Sequence, residues 1–581
     1  MNRMTLTLAV PWNNSSYIAC NGFHPLYKPL FDNDEPTINL SVIDEFSFSK
    51  QLLNEMYLSS IVNDVDDFKK VNIEKWVGDP IAEKFINYIN INELWLTHNI
   101  PGDIELHHTS PLTSCSRPFV LHCESFLPIF MPFAYQGIGF IDDIDKVRTF
   151  YKKIFSSEQC LGIYSHLQVT LDQISQFFND EKIDLKLKLT KIGLSKQTYS
   201  HLTSFVKKEF LKEPTFLFTS SAHQNPASFG LRGGFSTLLF LQKYFQNGRK
   251  GRFVFRCCKP KESDLTDYGI NISLIEQLEN EGLILWVNQY LSEIELLNLF
   301  QSADFYLLPS VNLHSVSIMQ AQAAGAIPIV TDTYGTNLFV QHDQTGKILN
   351  GVRKAVWKDD SKYGIPIDNH SLWGKDNISK LAMQIYDEVI DLQDNPKKLE
   401  SIQKNTRAHA IMNYVGHEFK SQFFDDVASM INIAPKPNKH KLPLLDINDK
   451  REQLFNSPTQ PLHLLTSKKY RLFSLKGLYW AYTPWVDSSR LTWSPLLDAR
   501  SGLLRKYSVK VYFNLEQATH DLLPLSDISH RNPIFHISEN VRIYAQKYPW
   551  LKKPLKRMHF IINSLLIKTE RIIAKNINKD N

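Results

Sequence analysis

The stretch Ser302–Gly346, SADFYLLPSVNLHSVSIMQAQAAGAIPIVTDTYGTNLFVQHDQTG, decides how this chain folds. Phe305–Leu308 is an unbroken apolar run closed by Pro309-Ser310, short enough for a strand buried on both faces. A polar loop follows, and the Asn312–Gln320 segment opens a helix that ends in Ala323-Ala324-Gly325. Ile327–Val330 is a second apolar strand, running into the Gly-containing loop Thr331–Gly335. Strand, helix and strand in this order make neighbouring parallel strands with both loops at their carboxyl ends, where open α/β sheets bind ligands. The free N–H groups at the start of the intervening helix suit a phosphate. The layout points to a nucleotide-linked ligand.

The same alternation extends in both directions. Upstream, strands are expected at Thr5–Val10, Ile38–Ile43, Glu93–Thr97, Ile104–His107, Phe119–His122, Cys160–Ser165 and Leu185–Ile192. A second run has strands at Thr215–Thr219, Arg252–Arg256, Leu283–Val287, Phe305–Leu308, Ile327–Val330 and Lys347–Leu349. Helical patterns lie between its strands at Phe235–Phe245, Ser273–Glu281, Glu293–Gln301 and Ser317–Ala324, with more at Asn377–Gln393 and Asn395–Met430. The expected fold is α/β, with two Rossmann-like parallel-sheet domains facing a cleft. Residues 1–210 form the first and 211–432 the second. After a Pro/Lys-rich linker at Ala434–Pro443, residues 433–581 make a basic, aromatic-rich extension.

Composition narrows the class. With 43% apolar and 22% charged residues over 581, the chain is an ordinary globular protein. Its six cysteines lack CxxC or Cys/His ligand spacing, so neither a zinc site nor a disulfide framework is expected, and a reducing compartment suits them. The Met4–Pro11 run alternates like a first strand and does not read as a signal peptide. Ser125–Ile141 carries no charge, but its two prolines and two glycines make it an apolar loop with a short helix, not a membrane span. The net charge of +5 hides an asymmetry: Ile431 onward holds 25 Lys and Arg against 11 Asp and Glu, so the preceding residues are net acidic. Within that tail Lys552–Lys575 has an apolar stripe of helical spacing (Met558, Ile561, Ile562, Leu565, Leu566) bordered by lysines. Such a helix lies on an anionic membrane surface or docks on its own protein. No nucleic-acid-binding motif accompanies the charge.

In the second half, Arg232-Gly233-Gly234 opens a helix, Pro309-Ser310 precedes Asn312, and Gln320-Ala321, Ala324-Gly325, Thr331-Asp332 and Gly335 follow at fixed spacings. These residues resemble the donor half of a GT-B glycosyltransferase of the large retaining family often called family 4. The resemblance is strong over 215–346 and looser over the first half, where Phe119–Ile129 (FVLHCESFLPI) is similar to the family's strand, histidine and loop. The chain departs from the pattern at Asn312 and Gln320, where the family has glutamates, and at Leu338, where it has an acid. Ala222 and His223 stand where it commonly has an arginine.

The resemblance implies a cytoplasmic enzyme, and the basic C-terminal helix, where it lies on an anionic surface, would place it peripherally at the inner face of the plasma membrane. It would be a retaining, metal-independent hexosyltransferase, with a nucleoside-diphosphate sugar as co-substrate and no further cofactor. The acceptor would be a surface polysaccharide or glycolipid of the lipopolysaccharide, capsule or exopolysaccharide type. Donor binding would fall to Arg232, Gly233, Asn312, His314, Ser315, Gln320 and Gly335, catalysis to His122 and acceptor binding to Glu124, with no metal ligands. Amides at 312 and 320 still accept a hydroxyl's hydrogen bond but bring no charge. Read without the resemblance, Arg232 is equally a solvated arginine at a helix start, His122 a hydrogen-bonded core histidine, and Glu124 a loop acid. The missing acids keep a non-catalytic GT-B glycan-binding or partner module open, and a GT-B nucleotide-sugar epimerase as well.

Overall fold

The computed structural model describes residues 6–12, 24–32, 38–52, 54–76, 78–89, 91–204, 213–220, 226–289, 291–430, 441–447, 449, 454, 462–466, 471–475, 478–482 and 510–522. The Asn13–Gly22 loop, Ala222, His223 and the amphipathic Lys552–Lys575 segment lie outside them.

Two parallel sheets of six strands form the body. The first contains β1 (Leu6–Ala9), β2 (Ile38–Ser41), β3 (Ile104–His108), β4 (Phe119–His122), β5 (Cys160–Ser165) and β6 (Leu187–Leu189) in the order β2-β1-β3-β4-β5-β6. The second contains β7 (Thr215–Thr219), β8 (Arg252–Arg256), β9 (Ile284–Trp286), β10 (Phe305–Leu308), β11 (Ile327–Thr331) and β12 (Lys347–Leu349) in the order β9-β8-β7-β10-β11-β12. That second order is the doubly wound nucleotide-binding arrangement, and its direction reverses between β7 and β10. Every residue of β10 and β11 is buried, as continuous apolar strands between two helical layers require. The expected fold class, two Rossmann-like domains, is the observed one.

Two elements differ from the sequence reading. Glu93–Thr97 is not a strand but part of a helix, Ile91–Asn99, whose Leu94, Trp95 and Leu96 are all buried. A helix enclosed on several sides loses the polar face that marks its period, and a short apolar run then looks like a strand. The Asn395–Met430 pattern is two helices, Pro396–Asn413 and Gly416–Ser429, because Leu194 pairs with the chain at the break. Gly416 sits there beneath Leu194, where a Cβ would meet the Leu194 carbonyl oxygen at 2.2 Å. The last of these helices returns to the first domain, setting Phe423 against Tyr164 with ring centroids 4.8 Å apart.

Ser125–Ile141 forms a short 3-10 turn at Leu127–Phe130 and a small hairpin of Ala134–Tyr135 with Gly139–Phe140; Phe126, Leu127, Ile129, Phe130 and Phe133 are buried, whereas Ile138 and Ile141 are exposed. Cys123, Cys160 and Cys257 are buried thiols pushed up to about 12 by desolvation. Both six-stranded sheets belong to one compact unit, whereas Glu45–Asp67 groups with the described residues of 462–522. There Leu462–Thr466, Arg471–Leu475, Leu478–Tyr482 and Lys510–Tyr512 form an antiparallel sheet over a small core of Leu472, Ala481, Tyr512 and Ala518. No helix among the described residues is long and apolar enough to cross a membrane.

A hairpin of the second domain, Trp357–Asp359 with Pro366–Asp368, clamps the first domain. Its Ile365 is fully buried within the first domain's own core cluster. Tyr363 packs edge-on against Phe177 at 5.1 Å and lies 5.2 Å from the Arg148 guanidinium. Gln173 and Gln176 donate to the carbonyls of Pro366 and Tyr363 at 2.8 and 2.7 Å, while Lys362 and the Tyr363 hydroxyl both reach Asp145. Since this contact is part of both domains, Ile365→Val should lower stability by about 1 kcal/mol in one shared transition. Urea unfolding followed by fluorescence and by circular dichroism checks it: two separated transitions would mean that the clamp does not couple the domains.

Candidate functional site

The reversal of strand order between β7 and β10 opens a crevice at their carboxyl ends, and a cavity of about 330 Å³ lies there. Thr219 and Ser220 end β7, Arg256 ends β8, and His314, Ser315, Val316 and Ser317 follow the β10 loop; all of them line it. Arg232 and Gln320 line it too, as do His24 and Glu124 from the first domain. Of the residues expected at the donor and acceptor, Arg232, His314, Ser315, Gln320 and Glu124 therefore share one space. His24, Ser220, Arg256 and Ser317 are additions that the sequence reading missed. Only Arg256 carried a signal, as the charged end of the apolar strand Arg252–Arg256.

Arg232 reaches the cavity because the turn behind it is packed tightly. Gly233 has φ +84°, and a Cβ there would lie 2.2 Å from the Pro309 carbonyl oxygen. A Cβ on Gly234 would enter the Phe229 ring at 2.4 Å. The pair thus seats the turn against the Pro309-Ser310 loop, and Ser310 Oγ donates to the Leu231 carbonyl at 3.2 Å. Among the described residues the Arg232 guanidinium has no hydrogen-bond or ion-pair partner. Burial, and then the nearby Arg256, push its pKa down, so the charged form gains from an anion in the cavity.

The helix Ser315–Ala324 begins at the same place. It is buried nearly all round, its polar Ser315, Gln320 and Gln322 included, and Ala321, Ala323 and Ala324 are fully buried. Its N-cap, His314, makes no side-chain capping bond, so the first-turn amides of Ser315, Val316 and Ser317 have neither an intrahelical partner nor a side-chain cap. Burial, and then Arg232, hold His314 well below the usual imidazole range, so it is neutral at physiological pH. Its Nε2 lies 3.1 Å from Ser310 Oγ. Leu296 and Phe300 give the cavity an apolar flank.

Glu124 crosses from the first domain to this helix. Its carboxylate accepts from the Ser315 hydroxyl and lies 3.4 Å from His166 Nε2. Burial alone would raise its pKa, but His166 and Ser315 outweigh it and the carboxyl is held at about 2. The sign follows directly: a depressed carboxyl contributes stability that is present above its unfolded pKa and lost as pH falls towards 2. Glu124→Gln should therefore cost about 1.5–3 kcal/mol at pH 7, a difference that shrinks as pH drops from 5 towards 2. Chemical unfolding of both proteins across that range is the check, and a pH-independent difference would count against the ionised contact.

The remaining expected residues lie elsewhere. Asn312 turns its amide away from the Arg232 cavity and donates to Asp368 Oδ2 at 2.9 Å, lining a narrow gap that also touches Glu124. Burial pushes Asp368 up, but His370 and Asn312 hold it below its ordinary value. Gly335, at φ +84°, lies in a different cavity, and a Cβ there would be 2.8 Å from Leu167 of the first domain. Gly233 is behind the wall, not in it. His122 lines none of these cavities. It is buried, its Nδ1 lies 2.9 Å from the Tyr27 hydroxyl, and its ring stacks on His166 at 5.6 Å. Burial, and then His166, push its pKa well down. His108 faces the same Tyr27 and Trp12 rings, whereas its neighbour His107 points the other way and pairs with Glu105 at 2.9 Å. His342, Asp343 and Glu388 meet at the surface, but Lys347 lies 2.6 Å from each carboxylate and Lys398 3.0 Å from Asp343, so both acids are already in ion pairs.

No protein-family model matches the chain, and no curated protein does. Among solved structures it is similar to a glycosyltransferase from Rickettsia africae ESF-5, at 14% identity and a TM-score of 0.42, over 74% of this chain and 100% of that one. It is similar also to Anabaena Alr3699/HepE in complex with UDP, at 11% identity and a TM-score of 0.40, over 73% of this chain and 100% of that one. A third likeness is to the N-terminal domain of Candida albicans trehalose-6-phosphate phosphatase, at 10% identity and a TM-score of 0.44, over 74% of this chain and 98% of that one.

Proposed function

We propose that the chain is a glycosyltransferase that moves a hexose from a nucleoside-diphosphate sugar to a glycan or glycolipid acceptor. One observation carries the reading. Arg232, which has no side-chain partner among the described residues, and a helix N-terminus at Ser315 without a side-chain cap converge on one cavity at the strand-order reversal of a nucleotide-type sheet. An arginine fork with several free amides matches a diphosphate. The apolar flank of Leu296 and Phe300 suits a nucleobase, and the Gln320 carbonyl can accept from ribose hydroxyls.

In the reaction the acceptor hydroxyl oxygen bonds to the anomeric carbon as that carbon's bond to the diphosphate breaks. The hydroxyl proton passes to the departing diphosphate, a front-face route that would retain configuration. Arg232 and the helix amides stabilise the charge that grows on the leaving oxygen, so no metal is required of this chain's own residues. Glu124, fixed by Ser315 and His166, sits where an acceptor hydroxyl would be oriented. His122 acts one layer back by supporting His166 and Tyr27.

The test is a titration of the full chain with UDP, GDP and ADP, followed by the corresponding sugar donors. Selective micromolar binding of one base, with donor turnover when acceptor is present, supports the reading; no binding of any nucleotide contradicts it. The Asn312 amide, committed to Asp368, favours a second reading as a non-catalytic binding module. That module would bind the nucleotide sugar without consuming it. The basic C-terminal segment is proposed to hold the protein at an anionic membrane face. Removing Lys552–Asn581 should abolish co-sedimentation with phosphatidylglycerol vesicles, and equal binding of both forms would assign the membrane contact elsewhere.

A further inference from the structure

Among the described residues, the first domain gives the Arg232 cavity only His24, Pro25 and Glu124. Glu124, ionised, can only accept a hydrogen bond, and Pro25 has no polar hydrogen at all. His24 is therefore the first-domain group that can donate to a ligand there, provided its proton sits on the right nitrogen.

The fold sets that proton. His24 is the N-cap of the 3-10 turn Pro25–Phe31, and its Nδ1 accepts from the Leu26 N–H at 3.2 Å. Pro25, first in the turn, has no N–H, so the capping bond falls to Leu26. A neutral imidazole whose Nδ1 accepts carries its hydrogen on Nε2. Desolvation lowers the pKa of the ring, Glu124 raises it and Arg232 lowers it, with a net fall that keeps the imidazole neutral at physiological pH. Glu124 and Arg232 thus act on the same ring from the two domains, and His24 and Arg232 both act on His314. The ring is exposed to the cavity, and its Nε2 has no hydrogen-bond partner among the described residues.

Capping does not explain the choice of residue. Asn, Asp, Ser or Thr caps a turn as well with a shorter side chain. A histidine holds the turn with one nitrogen and carries a second, as an N–H donor, beyond it. Across the cavity stand the Arg232 guanidinium and the first turn of the Ser315–Ala324 helix, which suit an anion.

We propose that His24 is a catalytic residue of the transfer, its Nε2–H donating to the departing diphosphate from the domain opposite Arg232. The inference deepens the transferase reading and rests on it. As the acceptor oxygen bonds to the anomeric carbon, the electron pair of the breaking bond goes to the terminal phosphate oxygen, and the acceptor's proton passes to the diphosphate. His24 keeps its own proton throughout and supplies a fixed dipole where the negative charge grows. The first domain then contributes to leaving-group stabilisation as well as to the acceptor side.

Two variants of the full chain split the imidazole. His24→Asn puts an oxygen where Nδ1 lies, so it retains the Leu26 cap and loses the cavity donor. His24→Gln reaches further, keeping an N–H donor near the place of Nε2 and giving up the cap. Each is titrated calorimetrically with UDP, GDP and ADP, with the matching monophosphates and with the sugar donors, alongside urea unfolding. His24→Asn should bind the preferred diphosphate about tenfold to a hundredfold more weakly than wild type, with monophosphate affinity and the urea midpoint unchanged. His24→Gln should recover most of that affinity at a lower urea midpoint. Undiminished diphosphate binding by His24→Asn overturns the inference and leaves the transferase reading standing. So does an equal loss in both variants, which would make the ring a packing element, or a loss shared by the monophosphates. A loss confined to the sugar donors, with free diphosphates unaffected, also overturns it and assigns the ring to the sugar. A wild-type chain that binds no nucleotide ends the transferase reading and the inference with it.

Discussion

Arg232→Ala should weaken nucleoside-diphosphate binding by about 2–5 kcal/mol, roughly 30-fold to a few thousand-fold, while leaving the fold intact. The size follows from the setting. The guanidinium is largely enclosed, has no partner of its own among the described residues, and shares its cavity with the uncapped start of the Ser315–Ala324 helix. A diphosphate there replaces water for several donors at once, and removing the fork leaves phosphate oxygens desolvated but unpaired. Arg232→Lys keeps the charge but not the paired geometry and should fall between the two. Calorimetric titration of the three proteins with the preferred nucleotide measures the series. Equal affinities for wild type and Arg232→Ala would take Arg232 out of the site, whatever else the cavity binds.

Gly233→Ala should be nearly as damaging, through structure instead of contact. The position has φ +84°, and a Cβ would lie 2.2 Å from the Pro309 carbonyl oxygen and 2.5 Å from Pro309 Cγ. Neither neighbour is the free end of a flexible side chain, so the turn must move. Backbone strain and overpacking together cost about 2–5 kcal/mol. The same movement pulls Arg232 from the cavity, so nucleotide affinity should fall with stability. Gly248→Ala is the control, since Gly248 has φ +72° but open space where its Cβ would be. It should cost only the backbone strain, about 1–2 kcal/mol, and leave binding alone. Equal losses for the two variants would mean that the Pro309 contact is not what holds the turn.

Most of the fold was legible because parallel strands buried on both faces write themselves as short apolar blocks. Phe305–Leu308 and Ile327–Thr331 are such blocks, and turn residues bracket each one. Glu93–Thr97 misled for the same reason, since an enclosed helix also writes an apolar block. The clamp left little readable sign: Tyr363, Ile365 and Ile367 stand in the otherwise polar run KDDSKYGIPID, and only the tertiary structure sets them against the other domain's core.

The site was legible where backbone chemistry dictates residue type. Arg232 with its Gly-Gly turn, and the Pro309–Ser315 loop, follow from strand ends and helix starts. What sequence spacing could not supply is the direction of a side chain. Asn312 is bound to Asp368, fifty-six positions away, and His122 turns inward to Tyr27. His24 reaches the cavity from the start of a 3-10 turn, with no motif around it.

The central claim is that the cavity at the β7–β10 reversal grips a diphosphate. A crystal grown with the nucleotide selected by titration tests it most directly. The account predicts phosphate oxygens within hydrogen-bonding distance of the Arg232 guanidinium and of the Ser315–Ser317 amides. A nucleotide bound elsewhere, or phosphates in the cavity that leave Arg232 without contact, would contradict it.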